Sequence, residues 1–296
     1  MTSTSIIVPS LNGAEYLLPC IDSLLAQSTP PTEIIVLDCS PDSAAARLPA
    51  NPAIKIIRLD AALPVPKMRS LGIEMARGDL ILLTEDHCAA DCDWIASLLV
   101  LHSGFPEAII GGPMDYNFHG DRLSWAAHFF EYAAFIPPLD PRKVCPISAT
   151  NVGYPKALIV QHQSIFLSGR WDHFIHQELF EAGLPFHYDS KPVIHNRKSF
   201  TERSFRAQCY HFGRGYGGQR RLSLSSTKLL ALRLMGFLLP VVKTIKISRI
   251  VLTEKRRYQS EFFQSLLWLV WFNLVWSWGE WIGYCFGKDP KRKDVE

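Results

Sequence analysis

The chain is poor in three things: cysteine motifs, net charge and repetition. Its seven cysteines stand at irregular spacings with no CxxC pair. That excludes a zinc module and a disulfide framework, and leaves buried or incidental thiols in a reducing compartment. Thirty-one lysines and arginines are nearly balanced by 28 acids, and a formal charge of +3 is too small to imply nucleic acid as a partner. There is no internal repeat and no low-complexity linker. The opening "MTSTSIIVPSLNG" has neither a basic n-region nor a long apolar run, so no signal peptide is expected and the chain is expected to face the cytosol. Apolar residues make up 48% and charged ones 20%, which suits a packed core.

Short apolar runs alternate with helical periodicity along the first hundred residues. "SIIVPS", "EIIVLD", "AIKIIRLD" and "DLILLTED" read as buried strands. "GAEYLLPCIDSLLAQS", "VPKMRSLGIEMARG" and "CDWIASLLVLHS" read as helices between and after them. Such alternation predicts an α/β fold, a mainly parallel sheet with helices on both faces. Ligands in such sheets lie beyond the carboxyl ends of the strands, which places Pro9, Asp38, Asp60 and the Glu85–His87 cluster along one edge. Further on, "AIIGGPMDYN" reads as a strand and turn and "PISATNVGYPKALI" as a loop entering a helix. "WDHFIHQELFEAG" reads as a helix stopped by Gly183.

Two carboxylates and an imidazole at a strand tip suit a divalent cation. Carboxylate oxygens favour magnesium or manganese, and a neutral imidazole tolerates manganese. The plain alternative, that Glu85 and Asp86 cap the next helix, stays open on these residues alone.

Taken together, "IIVPSLNGAEYLLPCIDSLLAQSTPPTEIIVLDCS" and "RSLGIEMARGDLILLTEDHC" resemble the opening of family 2 glycosyltransferases of the GT-A fold. The resemblance is close over residues 4–110 and loose over 140–215. It implies a Rossmann-like sheet and a nucleotide pocket lined by Pro9, Ser10 and Asn12. Asp38 would accept from an N–H of the base, although Cys39 stands where the family often has a second acid. Arg69 would meet the base or the diphosphate. Glu85, Asp86 and His87 fill the places of the DxD motif. That implies Glu85 and His87 as ligands of Mn2+ or Mg2+ and Asp86 as a ribose or sugar contact; a histidine at the last place lowers the negative charge. Counting back from Gly183 sets Asp172 on the second member of the family's acidic pair and Trp171 on the first. Asp172 is thus the candidate general base. Asn151 would contact donor or acceptor, and His195 would reach metal or diphosphate. "FRAQCYHFGRGYGGQRR" resembles the basic loop of processive and lipid-linked relatives, with Arg214 over the donor diphosphate.

The composition shifts near residue 222. "KLLALRLMGFLLPVV" is broken by Arg233, Pro240 and Lys243, and the stretch from Phe262 to Gly287 carries one acid, Glu280. The second is long enough for one crossing. The basic flanks "EKRRY" and "KDPKRK" would then lie on opposite sides, so helices in the cytoplasmic interface or a shallow hairpin are preferred. A packed helical core is the plain alternative. The sequence predicts a catalytic domain over 1–222 and membrane-associated helices over 223–296. The expected activity is inverting transfer of a sugar from a nucleotide diphosphate to a lipid-linked or polysaccharide acceptor at the cytoplasmic membrane face. Two alternatives are a membrane scaffold with an impaired transferase domain, favoured by Cys39, His87 and Trp171, and a nucleotidyltransferase. "VPSLNGAEY" lacks the glycine-rich loop that the last would carry.

Overall fold

The computed structural model describes residues 2–60, 63–116, 121–140 and 147–289. The first elements are β1 (Thr4–Ser10), α1 (Ala14–Leu25), β2 (Glu33–Asp38), β3 (Ile54–Arg58), α2 (Val65–Met75) and β4 (Leu80–Leu83). Then come β5 (Cys88–Ala90), α3 (Trp94–Gly104), β6 (Ile109–Gly111), β7 (Met114–Tyr116), α4 (Arg122–Tyr132) and β8 (Val152–Pro155). They are followed by α5 (Lys156–Gln161), α6 (Gln163–Phe166), α7 (Asp172–Glu181), β9 (Phe186–Tyr188) and β10 (Ile194–Asn196). Last are α8 (Glu202–Arg220), α9 (Ser226–Met235), α10 (Leu239–Glu254) and α11 (Gln259–Phe286), with short 3-10 turns at Gly236–Leu238 and Arg256–Tyr258.

The chain divides into two compact units, residues 1–118 with 135–198, and residues 119–134 with 199–296. By packing, α4 and α8 go with the C-terminal helices, the division falling after Lys198.

In the first unit a seven-stranded sheet has the order β3-β2-β1-β4-β8-β6-β9. β1 pairs in parallel with both β2 and β4, and all residues of the three strands are buried. Buried on both faces, such strands read as continuous apolar runs rather than alternating ones. β3 is the edge, and its exposed Lys55, Ile56 and Arg58 fit that place. The core gathers Ile7, Ile35, Leu37, Ile81 and Leu83 of the sheet with Met68 of α2 and Ile175 and Leu179 of α7. Each such side chain contributes about 1.5–3 kcal/mol on burial.

Within the stretch expected to be a loop, Val152–Pro155 form β8, antiparallel to both β4 and β6. The strand is four residues long, too short for a period to show, and Gly153 lets it lie close to Leu82 and Ile110. The sheet is therefore mixed, though mostly parallel. β5, β10 and β7 form a separate three-stranded sheet.

The second unit is helical. The expected basic loop is the helix α8, opened by Thr201 and Ser204 in a reciprocal cap. Its glycines serve helix packing. A Cβ on Gly213 would lie 2.3 Å from the Trp276 carbonyl oxygen, and one on Gly217 2.2 Å from that of Glu280. Gly279 and Gly283 of α11 face α8 backbone as closely, at 2.2 Å from the Tyr210 oxygen and 2.4 Å from the Arg214 oxygen. Glycines four apart on each helix share one face, so two backbones meet there.

α11 was the strongest expectation of a crossing. It buries Phe262, Leu269, Phe272, Gly279, Gly283 and Tyr284 within the unit. No helix of the described residues is long and apolar enough to cross a membrane. Of the expected basic flank "KDPKRK", residues 290–293 lie outside the described residues.

Gly217→Val is expected to cost about 3 kcal/mol through overpacking, read as a lower denaturation midpoint. Gly104→Ala, where a Cβ meets nothing within 4 Å, is the control and leaves the midpoint unchanged or higher. An unchanged midpoint for Gly217→Val would remove the close helix contact.

Candidate functional site

β4 leaves the sheet at Thr84 and delivers Glu85, Asp86 and His87 beside the end of β1. There Asp86 is a connector. Its Oδ2 accepts from the amides of Leu11 and Asn12, each at 2.8 Å, and its Oδ1 from the Asn12 side chain at 2.6 Å. Burial opposes the charge on Asp86, but His87 and the Asn12 donors outweigh it and hold the carboxyl below the usual range. His87 Nδ1 lies 3.5 Å from Glu85 Oε2 and 3.5 Å from Asp86 Oδ1, at the limit of a hydrogen bond, so the attraction is one of charge. Burial disfavours the imidazolium, yet Cys88, Asp86 and Glu85 push His87 up to about 10.

Arg69, on α2, is 4% exposed and joins two acids from distant parts of the chain. Its Nη2 donates to Glu85 Oε1 at 2.6 Å, and its Nη1 donates to Asp172 Oδ2. Burial works against the Arg69 charge, but Asp172 and Glu85 more than restore it. Asp172 lies in the first turn of α7, where a helix favours negative charge. The N-cap residue is Trp171 and no side chain caps the helix there, so the Asp172 carboxylate serves Arg69 and not the helix end.

One turn on, His176 shares the face of Asp172 and its Nε2 lies 2.6 Å from the Tyr154 hydroxyl of β8. Burial holds His176 neutral. Both side chains are buried, and together they fix the start of α7 against the sheet. Sequence reading missed this pair. The spacing of 172 and 176 was a visible signal, whereas Tyr154 stood in a stretch read as loop.

Four buried polar atoms, at the ends of β1 and β4 and on α2, have no hydrogen-bond partner among the described residues: Ser10 Oγ, Thr84 Oγ1, His87 Nδ1 and Arg69 Nε. Buried polar atoms are ordinarily paired, so a group of orphans at strand tips marks a place for a ligand.

The remaining expected residues lie elsewhere or are already engaged. Asp38 neighbours Ser10 across β1 and β2, but its carboxylate accepts from the Ser40 amide and hydroxyl, the Ala45 amide and Arg58. Burial opposes its ionisation, and those donors still hold it below the usual range. Asn151 accepts from Trp94 Nε1 at 2.8 Å and donates to the carbonyls of Pro113 and Pro192. His195 Nε2 lies 2.8 Å from Asp91 Oδ1. Pro9 is buried in β1. Arg214 belongs to the second unit, where it pairs with Asp289 at 3.0 Å.

As arranged, the donor set does not fit a divalent cation. Three hydrogen bonds occupy Asp86, Arg69 holds Glu85 Oε1, and His87 Nδ1 faces the same two acids, which leaves Glu85 Oε2 as the carboxylate oxygen of the cluster without a hydrogen bond. Among the described residues no three histidine, cysteine or acidic side chains are grouped to hold a metal ion.

Two outcomes are expected. Arg69→Met leaves two acids without their cation and costs about 3–5 kcal/mol; Glu85→Gln in that background restores part of the urea midpoint, and an unshifted midpoint in the single variant would show that the ion pairs carry nothing. His176 is pushed by burial from 6.5 down to about 4. Between those values the unfolded chain binds a proton that the folded chain refuses, so stability falls by up to about 3 kcal/mol as the pH drops. Thermal melts of His176→Gln show a shallower decline over that window; identical slopes contradict the assignment.

Comparison with known proteins gives three findings. Residues 5–163 match the model of the family described as "Glycosyl transferase family 2". Over 130 residues the chain is 32% identical to polypeptide N-acetylgalactosaminyltransferase 10 of Homo sapiens, a match covering 41% of this chain and 22% of that protein. The Rattus norvegicus protein of the same name matches equally, so the chain spans about a fifth of these relatives at 22%. Among solved structures, the mannosyltransferase PcManGT from Pyrobaculum calidifontis, in complex with GDP-Man and Mn2+, has a TM-score of 0.59 at 11% identity, covering 97% of this chain and 88% of that one. S. aureus TarS 1-349, in complex with UDP-GlcNAc, has a TM-score of 0.51 at 15% identity, covering 97% and 93%. At these identities the likeness is one of fold.

Proposed function

This chain belongs to glycosyl transferase family 2, and from that premise we propose that it is an inverting transferase using a nucleotide-diphosphate sugar. The observation that carries the reading is the Arg69 bridge. It draws Asp172, the one acid at the start of α7, to the strand tip where Glu85 and the unpaired buried atoms collect. The named relatives and the nucleotide sugars held by the solved structures of like fold support a donor of this class.

In the proposed reaction an acceptor hydroxyl attacks the anomeric carbon from the side opposite the leaving diphosphate. Asp172 takes the hydroxyl proton as the new C–O bond forms and the bond to the diphosphate oxygen breaks. Arg69 keeps the Asp172 carboxylate aimed at the strand tips. Its Nε, buried without a partner among the described residues, is a donor available to the leaving group. Pro9, Ser10 and Asn12 form the nucleotide side of the pocket, with Asp86 fixing the turn that holds Asn12. Asp38 acts by fixing the turn at 38–45, and Asn151 by holding the backbone at Pro113 and Pro192, through the bonds described. Glu85 is the partner of Arg69, and His87 balances the two acids beside it. Arg69 holds one oxygen of Glu85, and no step is assigned to a cation. His195 and Arg214 are assigned no contact with the donor.

The acceptor is read as lipid-linked or polysaccharide. The work is placed at the cytoplasmic membrane face, with residues 1–222 as the catalytic part and the helices of 223–296 as the membrane-associated part. Exposed apolar residues along α9 and α10 support this. The second reading is a scaffold with an impaired site, favoured by Cys39, His87 and Trp171 at positions where the resemblance has acids.

Thermal-shift screening of UDP-, GDP- and dTDP-sugars identifies the donor. Asp172→Asn is expected to lower transfer by about a thousandfold while the donor-induced shift persists. Undiminished transfer in that variant removes Asp172 from the mechanism, and no response to any donor favours the scaffold.

A further inference from the structure

The most membrane-like stretch of the sequence, α11, is the packed strut of the second unit. The less apolar stretch before it buries far fewer of its side chains. Among the described residues, α9 buries no side chain and α10 buries only Val251. At the elbow between them Leu234, Met235, Phe237, Val241, Val242 and Ile245 are all exposed, Phe237 at 73%. A patch of that kind on a folded surface marks an interaction site.

Charge identifies the partner. Two cations of these helices turn inward: Arg233 donates to the Tyr284 carbonyl at 3.0 Å, and Lys243 lies 3.1 Å from the buried Glu280. Others face outward with the apolar residues: Lys228 on α9, and Lys246 and Arg249 on α10. Lys228 lies about 9 Å of helix axis back from Leu234, and Lys246 and Arg249 about 8 and 12 Å on from Val241. Thus both helices carry exposed apolar residues at the elbow with outward cations within about 12 Å of helix axis, the combination of an apolar face and Lys/Arg that an interfacial helix presents.

We propose that the α9–α10 elbow docks on an anionic lipid surface, its apolar tip in the acyl boundary and Lys228, Lys246 and Arg249 among the headgroups. This rests on the membrane part of the proposed function and names its surface and partner. A second copy of the chain suits the elbow less well, since a two-fold contact would set like cations against one another. α11 presents another apolar stripe, including Phe263 and Leu267, but no cation lies between Phe262 and Gly287.

The test is flotation of the purified full chain with vesicles of phosphatidylcholine alone or mixed equally with phosphatidylglycerol. The parent is expected to float with the mixed vesicles and to release in high salt. Replacing Lys228, Lys246 and Arg249 together by glutamine weakens that binding about a hundredfold, at about fivefold per charge. Phe237→Ser with Val241→Ser and Val242→Ser abolishes flotation without changing the melting temperature, because these side chains are exposed. Three results overturn the proposal: no flotation of the parent, flotation indifferent to both sets, or loss caused instead by Phe263→Ser with Leu267→Ser. Self-association on light scattering that the elbow serines abolish, without vesicle binding, assigns the surface to a second copy. The thermal response to nucleotide sugar is read on the same samples. A parent that floats but ignores every donor refutes the transferase reading and leaves the docking intact.

Discussion

The guanidinium of Arg69, held between Glu85 and Asp172, is the constraint on which the first unit's site depends. It is buried, and its two acids come from the tip of β4 and the start of α7. Buried ion pairs are weak sources of stability, because desolvation offsets much of the attraction. What such a bridge supplies is orientation. Neither acid can turn away without leaving a buried charge alone, so the helix start and the strand tip are held in one register. Tyr154 and His176 give a second, uncharged tie between α7 and β8. Asp86 does the same for the β1 turn through its hydrogen bonds to Leu11 and Asn12. Three elements are thereby fixed around a group of buried donors that have no partner among the described residues.

The second unit follows a different rule. Its helices pack through backbone contact at glycines, where the carbonyls of Trp276, Glu280, Tyr210 and Arg214 leave no room for a side chain. Close packing of that kind lets α11 bury a polar cluster in which Glu280 accepts from Trp276, Tyr284 and Lys243. Apolar residues not used in that packing are left exposed on α9, on α10 and along one stripe of α11, and no helix of the described residues is long and apolar enough to cross a membrane.

Much of the sheet was legible because β1, β2 and β4 are continuous apolar runs with a turn at each end. β8 was not, since its four residues carry no period and its place depends on Gly153 fitting between Leu82 and Ile110. The glycines of α8 looked like a loop. Glycine disfavours an isolated helix by about 1 kcal/mol relative to alanine, and only the matching glycines of α11, more than sixty residues away, make a helix the better choice. At the site, the acids at 85, 86 and 172 were visible as residue types. Their partners were not, because a salt bridge between residues 69 and 172 has no local signature. The metal expectation at Glu85 and His87 rested on donor types alone, and the contact of Arg69 to Glu85 Oε1 gave no local signal.

The most direct measurement is a crystal structure of the chain with a bound nucleotide sugar. The account predicts a diphosphate beside Arg69 and the strand tips at Ser10 and Thr84, and an anomeric carbon facing the Asp172 carboxylate across a gap wide enough for one acceptor hydroxyl. A donor seated on another edge of the sheet, with its sugar turned away from Asp172, would contradict it.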